Sequence, residues 1–174
     1  ALALLYEIFG APLDEVAGLH PLRAFTPAER SALLQMLSRD VNCPVTTSAG
    51  RLFDAVAALA GLRQESHFEG QAAMELEFAA TAAGASATGD EPYPCPVRGP
   101  APEGLALSHA PRWVVDWEPM IRALLADVEH HAALGIVARR FHVTLAGAIV
   151  EVARLVGERR VVLSGGCFQN ALLT

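Results

Sequence analysis

A long amphipathic pattern in the last third of the chain constrains the fold more than any other sequence feature. Between Leu134 and Val156, apolar residues recur at steps of three and four positions, which is the spacing of one face of an α-helix. The pattern therefore predicts a long helix over residues 134–156 that packs along one side. The residues of this face are Val137, Phe141, Leu145, Ala148, Val152 and Leu155.

Further helical patterns precede this one. Residues 1–40 are predicted to be helical, and Thr26-Pro27-Ala28-Glu29 forms a strong start signal, with Thr as N-cap, Pro at the first position and Glu at the third. Residues 42–48 are predicted to be extended or turn-like, and residues 62–70 to form a loop. The other predicted helices cover residues 50–61, about 69–80 and 118–127.

The predicted strands are short. Residues 113–117 and the apolar run Val161-Val162-Leu163 are each typical of a strand, and the second is expected to be buried. Ser164-Gly165-Gly166 then predicts a tight turn, and residues 168–173 the first turns of a helix. Residues 83–112 carry five of the eleven prolines between Pro92 and Pro102, which favours an irregular excursion or short edge strands.

Composition excludes several classes of protein. A chain of 174 residues with 52% apolar and 18% charged residues is long and apolar enough for one domain with a buried core. No apolar run approaches the roughly 18 residues that span a bilayer, and the net charge of -6 argues against a nucleic-acid groove. We therefore expect neither a membrane nor a nucleic acid as partner.

The basic residues and the cysteines narrow the chemistry further. All thirteen basic residues are arginine, which excludes a Walker lysine, a Schiff-base lysine and a lysine general base. Cys43, Cys95 and Cys167 are odd in number and form no Cys-x-x-Cys pair, so a reducing cytoplasm is expected. The chain starts without Met inside a helical pattern, and we expect it to be a fragment of a longer protein.

The glycine turn after Leu163 is the strongest candidate site. Gly165 and Gly166 let the backbone approach a ligand closely, and free N–H groups at the start of a helix favour an anion. Asn170 offers both a donor and an acceptor to a ribose or a base. The alternative is an ordinary strand-to-helix turn.

Two positions in the first half of the chain form a second candidate. Asp54 lies nearly opposite the apolar face of its predicted helix, where a carboxylate could accept hydrogen bonds from a ribose diol or could simply be solvated. Gly70 precedes the next helix and either lies against a ligand or shapes the turn.

The histidines and cysteines do not predict a metal site. His130 and His131 are adjacent and diverge on a helix, and no His-x-x-x-His pair is present. His142 is interpreted as a hydrogen-bonded histidine at the edge of the core. Cys167 has no identifiable base and is interpreted as a small turn residue.

Five ordered motifs identify a family. Residues 43–59 (CPVTTSAGRLFDAVAAL), 68–77 (FEGQAAMELE), 116–119 (DWEP), 140–146 (RFHVTLA) and 163–170 (LSGGCFQN) resemble stretches of the hydrogenase maturation carbamoyltransferases of the HypF family, in the same order. The resemblance spans nearly the whole chain, and five motifs in order are far more specific than a lone glycine turn.

The resemblance implies a fold and a place in a longer protein. Members of this family carry an acylphosphatase-like domain, zinc fingers, a YrdC-like domain and a Kae1-like domain, and residues 1–174 resemble the later part of the last. The implied fold class is α/β and helix-rich, part of a Kae1-like domain of the actin-like ATPase (ASKHA, RNase H-like) class. Residues 83–112 would be an irregular, proline-rich excursion within that single domain.

The resemblance also implies an activity. The YrdC-like domain makes carbamoyl adenylate from carbamoyl phosphate and ATP, and the Kae1-like domain passes the carbamoyl group to the C-terminal cysteine of a HypE-type acceptor protein. By this resemblance Asp54, Gly70 and Asn170 would contact ATP or the adenylate, with Gly165 and Gly166 beside the phosphates. No catalytic residue is assigned.

Departures from the family pattern qualify these expectations. The family's metal ligands, for a Mg, Fe or Zn ion, are a His-x-x-x-His pair and an aspartate of an Asn-Asp-Gly-Gly motif, and neither occurs in this sequence. The expected chain therefore holds half of a nucleotide cleft without a metal site. The alternatives are another Kae1-like carbamoyl transferase, acting in tRNA threonylcarbamoylation or antibiotic O-carbamoylation, and a non-catalytic helical interaction module.

Overall fold

The computed structural model describes residues 1–84, 90–99, 113–157 and 159–174. The chain forms two compact units, Ala1–Leu76 and Glu77–Thr174. Both are built mainly from helices, and the described part of the chain has one small sheet of two strands.

The first unit is helical. Its helices are α1 (Leu2–Phe9), α2 (His20–Arg23), α3 (Pro27–Ser38) and α4 (Ala49–Leu59), and a short 3-10 helix covers Asp14–Val16. Helix α2 packs against α4, and apolar side chains of several helices form the core. The buried set includes Leu5 of α1, Leu22 of α2, and Phe53, Val56 and Leu59 of α4.

The start of α3 forms as predicted. The hydroxyl of Thr26 accepts a hydrogen bond from the backbone N–H of Glu29, and the Glu29 carboxylate accepts one from the backbone N–H of Thr26 at 2.8 Å. This reciprocal capping satisfies two N–H groups that a helix start otherwise leaves without partners. The same bonds lower the pKa of the Glu29 carboxyl below its usual value.

The second unit is organised around the long helix. Helix α5 (Gln71–Ala83) begins in the first unit and ends in the second, and α6 (Glu118–Glu129) packs against α7 (Leu134–Val156). Strands β1 (Val97–Arg98) and β2 (Val114–Val115) pair antiparallel, with Val97 opposite Val115. The two strands lie at the predicted excursion and at the predicted strand over residues 113–117.

The apolar face of α7 is confirmed over most of its length. Val137, Phe141 and Ala148 are buried, whereas Leu155 near the C-terminal end is exposed. Met120, Ile121 and Leu124 of α6 belong to the same core as the buried α7 residues. The periodicity therefore predicted the helix and its packed side, although the last turns of the helix are exposed.

The prediction for the segment after α7 is wrong in two respects. Residues 161–163 form no strand and pair with nothing in the described part of the chain, and Val162 is 86% exposed. Strand-forming residues need a neighbouring strand to satisfy their backbone groups, and the described residues place none beside this segment. The residues after the glycine turn form a short 3-10 helix, Gly166–Gln169, followed by a turn, rather than an α-helix.

Other predicted boundaries hold within about three residues. Helix α4 begins at Ala49 and α5 at Gln71, while the segments 42–48 and 62–70 are irregular as predicted. Of the predicted excursion over residues 83–112, the parts 85–89 and 100–112 lie outside the described residues. Among the helices described, none combines the length and the apolar character needed to cross a lipid bilayer.

Candidate functional site

An open polar cavity lies in the first unit and is lined by two of the predicted site residues. Its volume is about 690 Å³, and its wall comes from the segment before α4, the first turns of α4 and the loop before α5. Side chains of both charges line it, together with hydroxyl groups. The lining includes Thr46, Ser48, Arg51, Asp54, His67, Glu69 and Gly70.

Asp54 presents a half-exposed carboxylate to this cavity. Its side chain is 31% exposed, and Oδ2 lies 3.0 Å from a terminal nitrogen of Arg51, one turn earlier in α4. The buried residues Phe53 and Val56 hold the opposite side of the helix in the core, so Asp54 points away from the core as predicted. The ion pair leaves carboxylate lone pairs that can accept further hydrogen bonds.

Gly70 lies in the cavity wall at the end of the loop before α5. Its φ of +81° is in the left-handed region, where a side chain would be strained, although a Cβ atom would meet nothing within 4 Å. Glycine is therefore required by the backbone turn. The open space above it also lets a ligand approach the main chain.

A chain of hydrogen bonds fastens this loop to α5. The side chain of Gln71 accepts a bond from the backbone N–H of His67 at 2.8 Å and donates one to Glu75 at 3.2 Å. Glu75 also accepts a 2.6 Å bond from Nε of Arg63, whose guanidinium donates to the carbonyl of Glu65. The Arg63 contact lowers the pKa of the Glu75 carboxyl. Both ends of the loop are thus tied to one carboxylate.

The glycine turn of the second unit exposes its backbone. Gly165 has a φ of +103°, and a Cβ atom on Gly165 or Gly166 would meet nothing within 4 Å. Both residues are exposed. The turn can therefore approach a ligand, but the helix that follows it is a single 3-10 turn and supplies no extended helix dipole.

Asn170 is buried and its side chain is engaged within the second unit. Its Oδ1 accepts bonds from the backbone N–H groups of Leu172 and Leu173 at 3.0 and 3.1 Å. Its Nδ2 lies 2.9 Å from Nε2 of His142. Asp54 and Gly70 thus line one cavity of the first unit, and Gly165, Gly166 and Asn170 form one segment of the second.

Metal ligands do not converge in the described part of the chain. No group of three or more His, Cys, Asp or Glu side chains could hold a metal ion among those residues. Cys167 lies half-buried in the 3-10 turn, and Cys43 and Cys95 are also free thiols. Burial raises the pKa of the Cys95 thiol.

Several residues of these segments were not singled out from the sequence. Arg51 and Glu69 also line the cavity. Their positions close to Asp54 and Gly70 in the sequence are the one feature from which they could have been predicted. His142 was interpreted as an edge histidine, yet it is 1% exposed and bonded to Asn170. No local pattern links these two residues, because 28 positions separate them.

The whole chain matches a defined protein family. Residues 1–174 match the family described as carbamoyltransferase, Kae1-like domain, second subdomain. Carbamoyltransferase HypF of Synechocystis is 33% identical over 99% of this chain, and carbamoyltransferase HypF2 of Cupriavidus necator is 35% identical over 92%. The chain spans 22% and 21% of the lengths of these two relatives.

A solved structure supports the same relationship. The crystal structure of full-length HypF in its phosphate- and nucleotide-bound form superposes with a TM-score of 0.77 and 31% identity, covering 98% of this chain and 25% of that one. The fold class expected from the sequence is therefore confirmed: a helix-rich part of a Kae1-like domain.

Proposed function

The chain belongs to the HypF family of carbamoyltransferases, as the second subdomain of their Kae1-like domain, and on this basis we propose that it binds an adenosine nucleotide during carbamoyl transfer. The ligand we propose is ATP or carbamoyl adenylate. The transfer itself is a property of the longer protein, of which this chain would provide nucleotide contacts.

The observation that carries this proposal is the shared cavity of Asp54 and Gly70. A ribose diol donates two hydrogen bonds, and the half-exposed carboxylate of Asp54 can accept them. Gly70 leaves room for a ligand against the main chain, and Thr46 and Ser48 offer hydroxyl groups. The volume of about 690 Å³ falls in the range of small-molecule pockets, roughly 300–1,000 Å³.

The second proposed contact is the segment from Gly165 to Asn170. The open backbone above Gly165 and Gly166 suits a phosphate group, since exposed N–H groups in glycine turns bind anions. The HypF relative of known structure was crystallised in a phosphate- and nucleotide-bound form, which supports a nucleotide as ligand. Asn170 completes the proposed set of contact residues.

The reaction we propose ends on a cysteine of an acceptor protein. In the longer protein, the sulfur of a C-terminal cysteine of a HypE-type acceptor attacks the carbamoyl carbon of the adenylate. The bond between that carbon and the phosphate oxygen breaks, AMP leaves, and the thiol proton is released. A cytoplasmic location is part of the proposal, and the three free thiols are consistent with a reducing compartment.

A metal ion is not part of the mechanism proposed for this chain. The family implies one, but the described residues bring no three suitable ligands together and so do not fit such an ion. The role proposed for this chain is to bind and orient the nucleotide. No step is assigned to a metal held by its residues.

Titration of AMP and ATP into the 174-residue chain tests the nucleotide site. We expect Asp54→Ala to weaken AMP binding about tenfold, roughly the value of one hydrogen bond to a charged group, and Asp54→Asn to weaken it less. Asp14→Ala, an exposed carboxylate outside the cavity lining, is the matched control. Tighter AMP binding by Asp54→Ala would instead indicate a phosphate held by the freed Arg51 and would contradict the ribose contact.

Transfer is tested in a chimera. This chain replaces the matching segment of the Synechocystis relative, and carbamoylation of a HypE-type acceptor is measured by mass spectrometry with carbamoyl phosphate and ATP. We expect an active chimera that loses activity with Asp54→Ala. A folded chimera that binds nucleotide but transfers nothing would contradict the proposed role in transfer, and absence of nucleotide binding in both chain and chimera would favour a non-catalytic helical module.

A further inference from the structure

His142 lies in the middle of α7 with both ring nitrogens in polar contacts. The ring is 1% exposed, and Nδ1 lies 2.7 Å from the carbonyl oxygen of Ala138, four residues earlier. Nε2 lies 2.9 Å from Nδ2 of Asn170, which closes the segment after the glycine turn. A residue of the long helix is thereby joined to the segment that we propose as a phosphate contact.

The hydrogen-bond pattern fixes the orientation of the Asn170 amide. Two backbone N–H groups, of Leu172 and Leu173, point at the same side-chain atom, and only the carbonyl oxygen Oδ1 can accept from both. Nδ2 therefore faces His142 and donates to it. It follows that Nε2 carries no proton and that Nδ1–H donates to Ala138, so the ring is neutral.

The side-chain amide of Asn170 keeps one hydrogen-bond donor for a ligand. Both lone pairs of Oδ1 are used by backbone N–H groups, and one of the two protons on Nδ2 is used by His142. The second proton on Nδ2 is the remaining capacity of this amide. Asn170 in this orientation can donate one hydrogen bond to a ligand and can accept none.

We propose that His142 is a positioning residue for nucleotide binding, which holds the Asn170 amide so that it presents a single N–H to an acceptor atom of the nucleotide. This inference rests on the proposed function. The proposal specifies the type of ligand atom that Asn170 contacts. An acceptor atom of a ribose, phosphate or base can take the remaining N–H, whereas a hydroxyl group that acts only as a donor cannot.

Neighbouring charged groups affect the protonation of His142. Glu77 of α5 and Arg139 of α7 act on the ring with opposite signs, and Glu77 also accepts a 2.8 Å bond from the backbone N–H of Ala171. A proton added to Nε2 would face the Nδ2 protons of Asn170. Relief by rotation of the amide would break both bonds to Leu172 and Leu173, so positioning requires the neutral ring.

The test is a double-mutant cycle read by AMP titration into the 174-residue chain at pH 8. We expect His142→Leu to weaken AMP binding by about the same factor as Asn170→Ala, roughly fivefold to tenfold for one hydrogen bond, and the double variant to be no weaker. His142→Gln, whose side-chain oxygen can accept from Nδ2, should bind within about threefold of the unaltered chain. His130→Gln is the matched control, because its ring makes the same 2.7 Å contact to the carbonyl four residues earlier but is exposed.

A readout independent of ligand separates the two proposals. Nitrogen-15 spectra of the unliganded chain should show His142 as the tautomer protonated at Nδ1. Because burial lowers the pKa of this ring, AMP binding should weaken only as the pH falls toward that lowered pKa in the unaltered chain, and this weakening should be absent in His142→Gln. Additive losses in the cycle, or the other tautomer, would overturn this inference while leaving AMP binding intact. Absence of AMP binding by the unaltered chain with the expected tautomer would overturn the proposed function, and with it the ligand half of the inference.

Discussion

The phenol of Tyr93 donates a 2.6 Å hydrogen bond to the carboxylate of Asp127, which ties the segment before β1 to helix α6. The same carboxylate oxygen accepts a 2.7 Å bond from Arg140 of α7, whose guanidinium carbon lies 4.2 Å from the centre of the Tyr93 ring. The Thr144 hydroxyl accepts from the backbone N–H of Tyr93. One buried ring thus connects an irregular segment with both helices.

Removing the hydroxyl group of Tyr93 should destabilise the chain without unfolding it. We expect Tyr93→Phe to lower the free energy of unfolding by about 1.5 kcal/mol, because a hydrogen bond to a charged group is lost while Arg140 still partners Asp127. Urea unfolding followed by circular dichroism measures the change. Tyr6→Phe is the control, and equal stability of both variants would show that the Asp127 bond contributes nothing net.

Gly135 should not tolerate alanine. An added Cβ would lie 2.7 Å from Cβ of Ala83 and 2.8 Å from the carbonyl oxygen of Ala79, so α7 and the end of α5 would have to separate. We expect Gly135→Ala to cost about 1–3 kcal/mol, as overpacking does. Thermal unfolding is the measurement.

The same helix supplies the matched control for this substitution. At Gly147 an added Cβ meets nothing within 4 Å, so Gly147→Ala should stabilise the chain by up to about 1 kcal/mol through helix propensity. A stabilised Gly135→Ala variant would mean that the contact between these helices yields more easily than the structure indicates.

Glu75 should control the order of the loop that carries Gly70. Glu75→Gln removes the ion pair with Arg63 and weakens the link through Gln71 to His67. We expect faster hydrogen exchange at the backbone N–H of His67, which donates to Gln71, and weaker AMP binding by about threefold, the value of a modest hydrogen-bond loss.

The comparison variant for the loop is Glu7→Gln, an exposed carboxylate on α1. It should leave both the exchange rate at His67 and the AMP affinity unchanged. If Glu75→Gln also leaves the exchange rate unchanged, the loop is held by its backbone turns rather than by the carboxylate.

Acidification should weaken the folded chain through His142. Burial lowers the pKa of this ring below its ordinary value of 6.5, so between those two pKa values the unfolded chain binds a proton that the folded chain does not. The contribution is fully present above pH 6.5 and is lost as the pH falls toward the folded pKa. Urea unfolding at pH 8, 7, 6 and 5.5 should show this decline.

The variant His142→Gln isolates this contribution. Its stability should change less over the same pH range, since the group that takes up the proton is absent. An equal decline in both proteins would assign the pH dependence to other groups and would contradict a neutral, buried His142.

The helices and their packed sides could be predicted because each follows from local periodicity. The apolar faces of α4 and α7 and the capping box at Thr26 depend on residues three or four positions apart. Likewise, the outward position of Asp54 follows from its angle to the apolar face of α4. Such features need no knowledge of distant contacts.

Features that depend on distant partners could not be predicted. A strand at Val161–Leu163 requires a neighbouring strand, and the propensity of three residues does not supply one. The amide of Asn170 looked available from the sequence because nothing local indicates His142, 28 residues earlier, as its partner. Long-range hydrogen bonds determine which polar groups remain available to a ligand, and local periodicity in the sequence does not predict them.

The exposed run Val161-Val162-Leu163 has a consequence for handling the chain in solution. These three side chains are 55%, 86% and 44% exposed, and extended apolar residues with unpaired backbone groups act as templates for intermolecular strand pairing. The isolated chain should therefore self-associate as its concentration rises, and Val162→Lys should delay that onset in light scattering. Low concentrations should therefore favour the unassociated chain in spectroscopy and calorimetry.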